Sequence, residues 1–395
     1  MKRDAKISKR ILILTTLAMA FSFTVWASLS PLATEFQEMY GLTNTEKSIL
    51  VAVPVLLGSV IRIPLGIFTD KYGGRKVFTG LLLFTIIPLV GVSFSSSYFM
   101  LLFWAFFLGV SGASFAVSIA FVSKWTPKEK QGTALGINGM GNIGTAAASF
   151  SLPAAAALLG IQGAFWMLML PIVIMSILIW FWTPETPKTG ETNTILGSLE
   201  VLKYKNSWVL SLFYFVTFGA FVAFGIYLPT LLMDLYNITA VDAGVRAGGF
   251  VVLATLARPL GGNLADKLGA GKILTIVFLG IIAGALGISF SMTSLVVMTI
   301  PCLLVAFMTG IGNGAVFKLV PQLFPKATGA VTGIVGAAGG LGGFFPPILL
   351  GTVKDFTGSY VWGFIFLSIV AFTCFIINKT YYDRNKKLNI KAART

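Results

Sequence analysis

Apolar runs of about 20 residues recur along the whole chain, separated by short polar segments. Twelve can be read, near 11–34, 46–69, 76–95, 98–122, 131–153, 163–183, 208–233, 243–265, 272–291, 295–319, 327–351 and 360–381. We number them as spans one to twelve. At about 1.5 Å of rise per residue, each is long enough to cross a hydrocarbon core roughly 30 Å thick as a helix. Every backbone polar group in lipid must be satisfied within its own segment, so an all-α membrane protein is predicted. The most polar internal stretch, 184–207, is rich in Pro, Thr, Gly and charge and reads as a cytoplasmic linker. It separates an N-terminal six-helix half, 1–183, from a C-terminal six-helix half, 208–395, that ends in a basic tail.

Composition agrees with a bilayer as the surrounding solvent, since 56% of the 395 residues are hydrophobic and 11% are charged. The net charge of +15 could suggest nucleic acid, but the basic residues cluster in alternate polar segments. Among the basic residues in the polar segments and at the span ends, only Lys47, Arg246 and Lys354 fall on the opposite side. The positive-inside rule therefore predicts both termini in the cytoplasm and an even number of spans. The first apolar run follows basic residues, as in a signal peptide, but it is too long for such a segment and reads as an uncleaved helix. Cys302 and Cys374 both fall in spans, so neither a disulfide framework nor a metal site follows from them. The chain has no histidine, the commonest metal ligand and acid–base group. No metal, cofactor or enzyme activity is expected.

The two halves repeat one another. R-I-P-L-G-I-F-T-D-K-Y-G begins at Arg62, and R-P-L-G-G-N-L-A-D-K-L-G begins at Arg258, 196 residues later. Gly132, Gly136 and Gly139 match Gly329, Gly333 and Gly336 at an offset of 197. Gly112, Ala113 and Phe115 match Gly314, Ala315 and Phe317 at an offset of 202. Two parallel six-helix halves are the arrangement of the major facilitator superfamily. The loop from Gly66 to Lys76, with Asp70, Gly73 and Arg75, resembles that superfamily's G-x-x-x-D-x-x-G-R-[KR] motif, and the stretch around Asp266 resembles a degraded second copy. Such loops imply control of opening at the cytoplasmic face rather than substrate contact.

Depth marks the residues that carry chemistry. Arg62 and Arg258 each lie eight residues deeper than the loop aspartates Asp70 and Asp266, or roughly 12 Å, close to the membrane midplane. Charge at that depth is expensive and by default functional. The acidic residues all fall at helix ends, loops or tails, so an external anion is the expected partner of both arginines. A guanidinium stays charged and presents a planar fork of donors, which suits a small planar oxyanion. The same scarcity of buried acid argues against proton relay through Asp or Glu and against cationic substrates. Lys318 in span ten, about seven residues before Pro325, is the exception to watch; it either carries a proton or snorkels to the cytoplasm.

Spans five and eleven are glycine-rich. G-T-A-L-G-I-N-G-M-G-N-I-G runs from Gly132 to Gly144, and G-A-V-T-G-I-V-G-A-A-G-G-L-G-G from Gly329 to Gly343. Small residues at four-residue spacing let helices approach closely. As a pair these segments resemble the two signature motifs of the nitrate/nitrite porter family, and the resemblance covers the whole chain. It implies that Arg62 and Arg258 bind nitrate, that Asn142 is a substrate contact, and that Tyr214 matches the family's substrate-binding tyrosine in span seven. It further implies that Phe115, Phe218 and Phe317 wall the anion or close its path, and that Gly136, Gly139, Gly333 and Gly336 serve packing and rocking. Asn142 is roughly 16 Å along span five, at the same depth as the arginines. The expected activity is exchange of nitrate inward for nitrite outward across the cytoplasmic membrane by a functional monomer. Nitrate–proton symport and carriage of another small anion are the alternatives.

Overall fold

The computed structural model describes residues 2–42, 44–185 and 199–383, and these are almost wholly helical. Most of the linker read at 184–207, and the basic tail beyond residue 383, lie outside the described residues. Among the described residues, ten helices are long and apolar enough to cross a membrane. One of the ten, Lys128–Trp182, contains both span five and span six, joined at Gly160, whose φ of 71° breaks the helical path. Span eight is the further helix Ala240–Leu268, which carries Arg246, Arg258 and Asp266 among many small residues and so has the weaker apolar signal.

The irregularities within the helices are informative. Span one ends at Trp26, well before the predicted residue 34, and a short helix, Ala33–Tyr40, follows. Ser28, Ser30 and Pro31 end it, as Ser-Pro pairs commonly start turns. Span two is broken into Asn44–Val60 and Arg62–Tyr72. Pro64 lacks the N–H that would bond to the Val60 carbonyl and crowds that carbonyl, which accounts for the break at Ile61. Span four tightens to a 3-10 turn over Gly109–Ala113, and span five does so over Met140–Asn142. Short 3-10 stretches inside long helices often mark functional points.

The chain divides into two compact units. The first comprises Met1–Thr126, Met140–Val201 and Ala327–Ala337; the second comprises Pro127–Gly139, Leu202–Lys326 and Ala338–Thr395. The opening turns of span eleven thus pack within the first unit, and the opening turns of span five within the second. The core of the first unit is built mainly on aliphatic side chains and Phe from spans one to six, including Phe78, Leu89, Leu108 and Ile172. In the second unit Phe213, Phe278, Val305 and Ala306 are similarly buried.

Candidate anion-binding arginines

In the first unit, Arg62 begins the helix that follows the break at Ile61, and its side chain is 0% exposed. Its Nε donates to the Gly112 carbonyl at 3.2 Å, and its Nη1 donates to the Gly336 carbonyl at 2.7 Å. Gly112 lies in the 3-10 turn of span four, where the tightened backbone exposes a carbonyl to a donor from another helix. The guanidinium carbon sits 5.6 Å from the centre of the Phe115 ring and 6.0 Å from that of Trp26. Ring faces at this distance attract a cation without neutralising it.

The second unit repeats the plan around Arg258, which is 2% exposed. Its Nη1 donates to the Gly139 carbonyl at 3.2 Å. Its guanidinium carbon lies 5.3 Å from the Phe218 ring centre and 4.9 Å from that of Phe221. Nε and Nη2 carry no hydrogen bond of normal geometry, and the Tyr214 hydroxyl is the polar group set beside them. Tyr214 stacks on Phe218 with ring centres 4.8 Å apart and planes 4° apart, and it meets Phe317 edge-on at 4.7 Å.

The glycines of spans five and eleven explain how these contacts are reached. A Cβ on Gly333 would stand 2.5 Å from the Arg62 carbonyl oxygen, and one on Gly136 would stand 2.6 Å from that of Arg258. Only glycine permits either approach. Three residues further on, Gly336 and Gly139 supply the carbonyls that accept from the two arginines.

The loop aspartates do different work. Asp70 pairs with Lys124 at 3.0 Å and accepts from the Ala330 N–H at 3.0 Å. Asp266 pairs with Lys318 at 2.7 Å and accepts from the N–H groups of Gly132 and Thr133 at 3.0 and 2.7 Å. Each carboxylate therefore caps the exposed N–H groups at the start of another helix, where a negative charge is favoured. Gly66 packs on the backbone of Gly329 at that crossing. Gly73 ends its helix with φ 92°, and Arg75 reaches Glu185 at 3.5 Å. Further ion pairs join Asp242 with Arg246 and Asp234 with Lys354. None of these carboxylates pairs with Arg258.

The structure thus gathers Arg62, Phe115, Gly333 and Gly336 in one unit, and Arg258, Tyr214, Phe218, Phe317, Gly136 and Gly139 in the other. Asn142 is fully buried in the 3-10 turn of the first unit, where the neighbouring Gly141 and Gly144 rest on span one. Lys318 is brought to Asp266 rather than to the arginine and its aromatic cluster. Sequence reasoning passed over Trp26, Phe221, Lys124 and Thr133, and over the three acceptor carbonyls. The glycines that own those carbonyls, Gly112, Gly139 and Gly336, all stand in the internal repeat, but nothing in the repeat marks them as acceptors.

Comparison with known proteins agrees with this architecture. The sequence profile of the Major Facilitator Superfamily matches residues 12–347. The chain is 40% identical over 385 residues to the nitrite extrusion protein of Bacillus subtilis (strain 168), covering 95% of this chain and 97% of that one. It is also 40% identical over 380 residues to the probable nitrate transporter NarT of Staphylococcus carnosus (strain TM300), covering 96% and 98%. In fold it is similar to the human organic anion transporter MFSD10, with a TM-score of 0.80 at 16% identity over 94% of this chain and 99% of that one. The proton:xylose symporter XylE gives a TM-score of 0.78 at 15% identity over 96% of each chain. With its twelve spans, internal repeat, loop motif and paired glycine helices, the chain belongs to the Major Facilitator Superfamily and, within it, to the nitrate/nitrite porter family.

Proposed function

We propose that this chain carries nitrate and nitrite across the cytoplasmic membrane, exchanging nitrate inward for nitrite outward by alternating access of its two six-helix halves, 1–183 and 208–395. The observation that carries this reading is the repeated setting of Arg62 and Arg258. Both guanidiniums are fully buried and anchored by glycine carbonyls and aromatic faces, which orient a cation while adding no negative charge. A buried cation held by neutral groups is stabilised strongly by an anion. Flat rings suit a flat ion, and the names of the two relatives point to the same pair of ions.

Exchange follows from charge. In this reading both arginines close on one anion, and their mutual repulsion in a low-dielectric site opposes closure when no anion is present. A single negative charge relieves that repulsion, so the loaded carrier crosses readily and the empty one slowly. One-for-one exchange of monovalent anions is electroneutral. Asn142 and Tyr214 add neutral donors, Phe115, Phe218 and Phe317 form walls and gates, and Gly136, Gly139, Gly333 and Gly336 permit the halves to rock. Asp70 and Asp266, with Lys124 and Lys318, hold the cytoplasmic loops, which supports a structural use of Lys318 and exchange over proton symport. The linker and both termini lie in the cytoplasm, and the monomer is the working unit.

Substrate identity is tested by competition. In proteoliposomes, uptake of labelled nitrite is expected to be suppressed by nitrate but little affected by formate or cyanate. Equal suppression by all three would show that the site does not select this pair of ions.

A further inference from the structure

Asn313 lies in span ten with 2% exposure, and neither its amide nitrogen nor its amide oxygen has a hydrogen-bond partner. Buried side-chain amides are ordinarily satisfied, so such a group calls for an explanation. Of its neighbours, Gly314 would place a Cβ 2.3 Å from the Arg258 carbonyl, and Gly312 would place one 2.6 Å from Thr217. Span ten is therefore pressed against span eight at one side of Asn313 and against span seven at the other. Four residues on, and so on the same face of the helix, Phe317 meets Tyr214 edge-on. That face is the one turned toward the Tyr214–Phe218 stack over which Arg258 lies.

We propose that Asn313 is an anion-binding residue, its amide N–H donating to an oxygen of the oxyanion held at Arg258. The inference rests on the transport reading above and deepens it. An amide offers donors without charge, so it adds recognition while leaving the balance between the arginines and one monovalent anion intact. Two oxygens of a planar anion satisfy a guanidinium fork, and a third requires a further donor. Nitrate has that third oxygen and nitrite does not. Asn313 therefore favours nitrate over nitrite.

The test is the KM for nitrate and for nitrite in exchange assays on reconstituted Asn313→Leu, with thermal stability measured alongside. A lost hydrogen bond to a charged group predicts a nitrate KM raised about tenfold, with a smaller rise for nitrite. Unchanged KM values for both ions, with or without altered stability, would assign Asn313 to packing or to a buried water and overturn the proposal. Asn313→Asp keeps the shape if the leucine variant does not fold. Its carboxylate takes the place of the anion beside Arg258, so nitrate binding is expected to be lost while the protein remains folded; retained nitrate binding overturns the proposal. Wild-type protein that bound neither ion would instead remove the transport reading itself.

Discussion

Lys318 pairs with Asp266 at 2.7 Å, and the same carboxylate caps the helix that starts at Gln131 by accepting from Gly132 and Thr133. A lysine that stood out in the sequence as a group able to carry a proton is thereby tied to a loop motif. With side-chain exposures of 13% and 8%, the pair is shielded enough to matter for stability. Breaking it leaves one charge poorly solvated. Lys318→Met is expected to destabilise the protein by about 1–3 kcal/mol, read as a lowered melting temperature in detergent. It is also expected to leave the pH dependence of nitrate uptake as in the wild type. A flattened pH profile at unchanged stability would return Lys318 to a role in coupling.

The arginine fork makes a sharper demand. Lysine at position 62 or 258 retains the charge but loses the planar pair of donors. Neither variant can keep both the carbonyl anchor and a bidentate hold on an anion. Arg62→Lys and Arg258→Lys are each expected to raise the KM for nitrate at least about tenfold. Initial rates of uptake over a range of nitrate concentrations check this, and normal transport by both variants would refute planar recognition.

Tyr214 separates ring from hydroxyl. Tyr214→Phe keeps the surface stacked on Phe218 and edge-on to Phe317. Stability should stay within about 0.5 kcal/mol of wild type, while the KM for nitrate rises several-fold through loss of a donor beside Arg258. A large fall in melting temperature with an unaltered KM would make Tyr214 a packing residue only.

Helix approach at the glycines gives a paired test. Gly136→Ala and Gly333→Ala each push a methyl to 2.6 or 2.5 Å from an arginine carbonyl. Overpacking of this kind costs about 1–3 kcal/mol and displaces the arginine backbone, so slower exchange accompanies the loss of stability. Gly80→Ala, where nothing lies within 4 Å, is the control and should lose neither. Equal behaviour of all three alanine variants would contradict the close-approach account.

Much of this arrangement was legible in the sequence because it rests on residue type and period. The spans follow from hydropathy, the halves from the offset of 196 between Arg62 and Arg258, and the close-packed helices from their glycine spacing. What stayed hidden is backbone chemistry. The carbonyls of Gly112, Gly139 and Gly336 accept from the arginines, yet every residue has a carbonyl, so no residue type announces an acceptor. The 3-10 turns at Gly109–Ala113 and Met140–Asn142 depend on tertiary packing and leave the apolar pattern unbroken. The break at Ile61 and the early end of span one at Trp26 were readable in principle, through Pro64 and through Ser30 with Pro31. The run of apolar residues outweighed them. The partner of Lys318 was out of reach because Asp266 lies on another helix, and the pairing exists only once spans eight and ten pack together.

The central claim, that the arginine pair makes an anion exchanger, is tested most directly by counterflow in proteoliposomes. Uptake of labelled nitrate is measured with nitrite inside or with an empty lumen, at zero membrane potential and with one imposed. Uptake should be fast only with internal nitrite, should be unaffected by the potential, and should vanish in Arg258→Ala. Rapid uptake into empty vesicles driven by a pH gradient would contradict it.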